Sequence, residues 1–158
     1  MSGQVFLADS ERLTAILQRI PYARFLGMRA ELAGDEMTAI LPFSQHLIGN
    51  PMLPAIHGGV LGAFMEITAI AQLAVRQSAG TKGLVLQPRT IDVTLEYLRS
   101  AGPRPVYARA EIKRLGRRTA NVQVEAWQDA RAEPVAALHG HFQLRSDEAA
   151  KAAEDQPL

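Results

Sequence analysis

The chain has 158 residues, 47% of them hydrophobic, enough to bury a sizeable core in a single domain. Seventeen Lys and Arg against sixteen Asp and Glu leave a net charge of +1, so no general affinity for nucleic acid is expected. There is no cysteine, which excludes a disulfide framework, a thiolate metal site and a thiol nucleophile.

The opening MSGQVFLADSERL lacks a basic segment followed by an apolar core, so no secretory signal is predicted and a cytoplasmic location is expected. Asp9 or Ser10 is placed to cap a short amphipathic helix that carries Leu13, Ile16, Leu17 and Ile20 at helical spacing and ends at Pro21. These residues form an N-terminal segment, 1–22. Met28 to Leu32 and Met37 to Leu41 flank Gly34-Asp35 and read as a hairpin closed by Pro42. Residues 44–56, SQHLIGNPMLPAI, carry a glycine and two prolines and read as an irregular loop.

From Val60 to Val75 the sequence is VLGAFMEITAIAQLAV, apolar on every face, which predicts a helix enclosed by protein on most sides. Residues 58–75 reach the minimum length of a membrane span, but Glu66, three glycines, Thr68 and Gln72 favour a buried core helix, and no membrane partner is expected. Downstream, Ile91, Val93, Leu95 and Tyr97 alternate with Asp92, Thr94 and Glu96, the pattern of a half-buried strand. Residues 105–114, 119–128 and 134–144 alternate in the same way, separated by turn-like breaks at Ala101-Gly102-Pro103, Gly116-Arg117 and Asp129 to Glu133. One helix against an antiparallel sheet is an α+β layer architecture. The last stretch, SDEAAKAAEDQPL, is small and charged and predicts a frayed tail over 146–158.

Glu66 is the only charge on the apolar helix. Carboxylates are seldom buried unless paired or used, and burial raises their pKa towards the range where a general base works. A structural ion pair with an Arg on a neighbouring strand is the plain reading. Seven to nine residues before it stand His57-Gly58-Gly59, two glycines opening the helix, where unpaired backbone N–H groups without side chains in the way suit a carbonyl oxygen or oxyanion. His57 adds a further donor. Gly58 and Glu66 are about 12 Å apart along a helix at 1.5 Å per residue, too far for both to touch one small group. A site using both therefore takes the carboxylate from a second subunit with an antiparallel helix.

His-Gly-Gly with an acid nine positions after the His, on a long apolar helix followed by four strands, resembles the hotdog-fold acyl-CoA thioesterases of the PaaI type, over about Leu26 to Leu144. The resemblance implies a hotdog domain, 23–145, in which a curved antiparallel sheet wraps the long central helix. It also implies a homodimer or dimer of dimers with sites at the subunit interface, acting on acyl-CoA with no cofactor or metal. Residue by residue, it implies Glu66 as general base or nucleophile and Gly58 N–H, with His57 and Gly59, at the thioester oxygen. Thr90, two before Asp92, would orient the water, and Asn50 in the preceding loop would hold water or carboxylate. The plain alternatives are a strand-forming threonine and a turn-forming asparagine. Between residues 99 and 118 seven basic residues face a single acid, Glu111, and Arg117 and Arg118 at the Gly116 turn are candidates for the coenzyme A phosphates. They also suit an ordinary solvated turn.

His139 and His141 alternate on one strand, a spacing open to metal, yet no carboxylate neighbours them in sequence and a polar sheet face is the expectation. The stretch from His46 to Pro54 is similar to the loop of hotdog 3-hydroxyacyl dehydratases, but the helix acid stands 20 residues after His46, about six further than in that family. Hydrolysis is therefore the expected reaction, with dehydration and non-catalytic acyl-CoA binding as the alternatives.

Overall fold

The computed structural model describes residues 10–34 apart from 12 and 16, residues 36–77 and residues 88–144. The expected cap Asp9, core residue Ile16, hairpin residue Asp35 and tail 146–158 lie outside them.

Helical turns carry Ser10, Glu11, Leu13, Thr14, Ala15 and Leu17, with Leu13 and Leu17 buried as their spacing predicts. Pro21 does not close the helical region. It opens a second short helix, Pro21–Leu26, because at the first position of a helix a missing N–H costs nothing. Gly27, at φ 70°, ends that helix in the left-handed conformation that glycine adopts without penalty. The hairpin follows as β1 (Arg29–Ala33) and β2 (Glu36–Leu41).

Residues 44–56 are more ordered than a loop reading suggests. A 3-10 turn, Gln45–Leu47, leads into two short antiparallel strands, β3 (Ile48–Asn50) and β4 (Ala55–Ile56). The central helix, Gly58–Gln77, comes next, then β5 (Arg89–Tyr97), β6 (Val106–Leu115), β7 (Thr119–Trp127) and β8 (Ala136–Gln143). Six strands make one antiparallel sheet in the order β1-β2-β6-β7-β8-β5, and the central helix lies across its inner face. The alternation read from the sequence holds on β7 and β8, where Val122, Val124, Leu138 and Phe142 point inwards onto Phe64, Met65 and Leu73 of the helix. The helix is long and apolar enough to cross a membrane, yet most of its side chains are buried inside the protein, as in the core helix of this fold.

The helix is open along one stripe. Gly59, Ala63, Glu66 and Ile70, spaced four, three and four residues apart, keep solvent exposure while the residues between them are buried.

The two edges of the sheet are finished differently. On β1 the N-terminal helical turns occupy the free backbone groups: Ser10 Oγ accepts from Leu32 N–H, and Thr14 Oγ1 both accepts from and donates to Ala30. On β5 no such cover exists among the described residues, and Ile91, Val93 and Tyr97 are exposed. The half-buried strand expected over 91–97 is thus an uncovered apolar edge, the kind of edge that pairs with another strand.

Candidate active site

The head of the central helix is fixed by its loop. His57 N–H donates to Leu47 O at 2.8 Å, and Ile56 N–H to Ala101 O at 2.8 Å. Gly49 packs so closely on His57 that a Cβ there would lie 2.7 Å from both its Cα and its Cβ. The His57 carbonyl accepts from Val60 and Leu61, starting the helical ladder. Of the two N–H groups expected to be free, one is taken: Gly59 N–H donates to His57 Nδ1 at 2.9 Å, because the ring folds back over the first turn. Gly58 N–H is left without an acceptor among the described residues, as the first-turn N–H groups of a helix are.

Tyr97, read in the sequence only as an apolar strand residue, belongs to this cluster. Its hydroxyl donates to Gly58 O at 2.8 Å, and its ring lies where a Cβ on Gly58 would be, with Cζ 3.1 Å from that position.

Two turns along the helix, Glu66 stands in the open stripe. It is half-buried rather than enclosed, and among the described residues it forms no ion pair, so the plain reading of a structural Arg partner is not what the structure holds. Its partner is Thr90, whose hydroxyl donates to Oε1 at 2.5 Å.

That contact depends on a bulge. Across β5 and β8, Thr90 pairs with Phe142 and Asp92 with His141, so two residues on β5 are spanned by one on β8. The extra residue, Ile91, reverses the alternation. Thr90 therefore shares the inner face with Val93, Leu95 and Tyr97, while Asp92 turns outwards to bond His141 Nδ1 at 2.9 Å. Without the bulge Thr90 would sit on the outer face with Asp92, away from Glu66.

The remaining candidates fall elsewhere. Asn50 is exposed and its Oδ1 accepts from Met52 N–H at 3.0 Å, the turn contact expected of an asparagine before proline. Arg117 and Arg118 are exposed on the β6–β7 turn, at the end of the sheet where Thr119, Gln143 and Arg89 line up, beside Thr90 and away from Tyr97. His46 hydrogen-bonds Ser44 Oγ at 2.8 Å and packs edge-on against Phe25, with no tie to Glu66. His141 does have a carboxylate neighbour, contributed by Asp92 across the sheet rather than nearby in sequence, and Asn121 Nδ2 stands 3.0 Å from its other nitrogen. The described residues contain no group of three or more residues suited to a metal ion.

The chain thus holds two half-sites: a free N–H with His57 and Tyr97 at the helix head, and a carboxylate with a hydroxyl donor two turns along. The thioesterase superfamily model matches residues 53–135, more than half of the chain and inclusive of both. The chain belongs to the thioesterase superfamily. Its activity class is thioester hydrolysis, and its architecture is the hotdog fold. A Chromobacterium violaceum protein is 33% identical, with 91% of this chain and 98% of that chain covered and a TM-score of 0.67. Two further solved structures share the fold. A phenylacetic acid degradation-related protein from Ralstonia eutropha is 21% identical, covering 84% of this chain and 98% of its own at a TM-score of 0.67. A Haemophilus influenzae thioesterase is 19% identical, covering 85% and 88% at 0.70. No functionally curated protein matches the chain significantly.

Proposed function

We propose that this thioesterase hydrolyses acyl-CoA to the free acid and coenzyme A at sites shared between two copies of the chain. The observation that carries this reading is the Thr90–Glu66 pair, a carboxylate held by a hydroxyl donor in the one open stripe of an otherwise buried helix. A carboxylate so placed suits the handling of water. The oxygen of the thioester needs a donor as charge develops on it, and Gly58 N–H at the helix head is without an acceptor among the described residues.

Both groups cannot serve one substrate within a chain, being about 12 Å apart on the helix. A two-fold axis beside β5 resolves this. Pairing of the bare β5 edge with β5 of the partner subunit covers Ile91, Val93 and Tyr97 and sets the open stripes of the two helices towards each other. Because Tyr97 and Thr90 lie at opposite ends of β5, antiparallel pairing brings the Gly58 end of one chain to the Glu66 end of the other. Glu66 and Thr90 then act on a thioester whose oxygen is held by Gly58 N–H and His57 of the partner subunit. Glu66 serves as general base through water, or as nucleophile through an anhydride. Asn50 stands in the loop beside this helix head, and Arg117 and Arg118 lie on the Thr90 side, where coenzyme A phosphates would meet guanidinium groups.

A panel of aliphatic and aromatic acyl-CoA substrates, read by release of free thiol, tests this. Thiol release above the uncatalysed rate from at least one of them is expected; a folded protein inactive on the whole panel would contradict it. Including a 3-hydroxyacyl-CoA covers the dehydratase alternative, which predicts an enoyl-CoA product in place of free thiol.

A further inference from the structure

The amide that joins Gly58 to Gly59 is held at both ends. Its oxygen accepts from the Tyr97 hydroxyl at 2.8 Å, and its N–H donates to His57 Nδ1 at 2.9 Å. A backbone N–H can only donate, so Nδ1 must present its lone pair. In a neutral imidazole the proton then resides on Nε2. Moving it to Nδ1 would set one donor against another.

We infer that this amide is a relay that fixes His57 in the Nε2–H tautomer, with Tyr97 as the positioning residue at its far end. What the tautomer is for rests on the thioesterase reading: Nε2–H is a neutral second donor, beside Gly58 N–H, for the oxygen of the thioester. Nε2 already carries its proton, so His57 cannot take one from water, and the proton falls to Glu66. Tyr97 acts through polarisation. A donor on a peptide oxygen strengthens the N–H of the same peptide, and the two bonds reinforce one another.

The neighbouring glycines give this arrangement its second support. A Cβ on Gly58 would lie 3.1 Å from the Tyr97 ring, and one on Gly59 would lie 3.0 Å from His57 Nδ1. A Cβ at the first position would press on the tyrosine ring and one at the second on the imidazole, and each ring would have to give by a few tenths of an ångström. His-Gly-Gly is therefore a ring followed by the two spaces that its relay needs.

The tautomer can be read directly from long-range ¹H–¹⁵N spectra of the ligand-free protein labelled in histidine, with His57 assigned by its loss in His57→Asn. The expected spectrum shows a protonated Nε2 and an unprotonated Nδ1. In Tyr97→Phe, which keeps the ring and deletes the hydroxyl, the second tautomer should become populated. That variant should also lose about three- to tenfold in kcat, the worth of one net hydrogen bond, with KM within about twofold. A wild-type His57 protonated on Nδ1 would overturn the inference while leaving the thioesterase reading intact. A folded Tyr97→Phe with unchanged tautomer and kcat would remove Tyr97 from the relay. An inactive wild-type protein with His57 in the Nε2–H form would uphold the relay and remove the thioesterase reading.

Discussion

Gly49→Ala perturbs the candidate site without replacing any residue assigned to chemistry. The new Cβ would lie 2.7 Å from His57 Cα and Cβ and 2.8 Å from Cδ2. Carbon atoms rest at about 3.5–4.0 Å, so the loop and the helix head must separate by roughly 1 Å. Two of the three obstructing atoms belong to positions that no rotamer can move. Separation also strains the bond from His57 N–H to Leu47 O, which ties the same two segments together. Overpacking of this kind costs about 1–3 kcal/mol, or a fall in Tm of roughly 2–10 °C for a domain of this size. Activity should suffer more, because a displacement of about 1 Å at a catalytic group can cost on the order of 100-fold. Thermal unfolding followed by kcat/KM on the best substrate of the panel measures both effects. Gly34→Ala is the control: its φ is 67°, and nothing lies within 4 Å of its would-be Cβ. It should lose about 1 kcal/mol to backbone strain while remaining fully active. A Gly49→Ala protein as stable and as active as wild type would refute the packing argument.

Glu66→Gln should retain the fold and substrate affinity and lower kcat by at least about 100-fold, whereas a loss confined to stability would return Glu66 to a structural role. Thr90→Val, which keeps the shape and deletes the hydroxyl, should leave circular dichroism and Tm near wild type and lower kcat by about tenfold. Full activity in that variant would show that the bond to Glu66 is incidental.

Much of this was legible in the sequence because the signals were long. Sixteen residues, 60–75, apolar on every face named the central helix, and alternation over ten or eleven residues placed β6, β7 and β8 to within one or two positions. The elements it missed were short: β3 and β4, at three and two residues, carry no period, and Pro21 is as good at opening a helix as at closing one. On β5 the alternation was visible but its meaning was not. One inserted residue reverses the facing of Thr90, and the apolar face is open because no described strand pairs with that edge. Glu66 was found as a lone charge on an apolar helix, and its half-exposure follows from the same open stripe. The return of the His57 ring onto Gly59 N–H, and the reach of Tyr97 from a strand 39 residues on, depend on tertiary contacts with no local signature.

The shared site is the central claim, and mixing two inactive chains tests it most directly. Gly58→Pro removes the free N–H, and Glu66→Gln removes the carboxylate; each homodimer should be nearly inactive. In a heterodimer one site carries both lesions and the other carries neither. Random pairing after joint refolding should therefore restore up to about one quarter of wild-type activity, half of the dimers having one of their two sites intact. No recovery in a mixture shown by mass spectrometry to contain folded heterodimers would contradict a site built from Gly58 of one chain and Glu66 of the other.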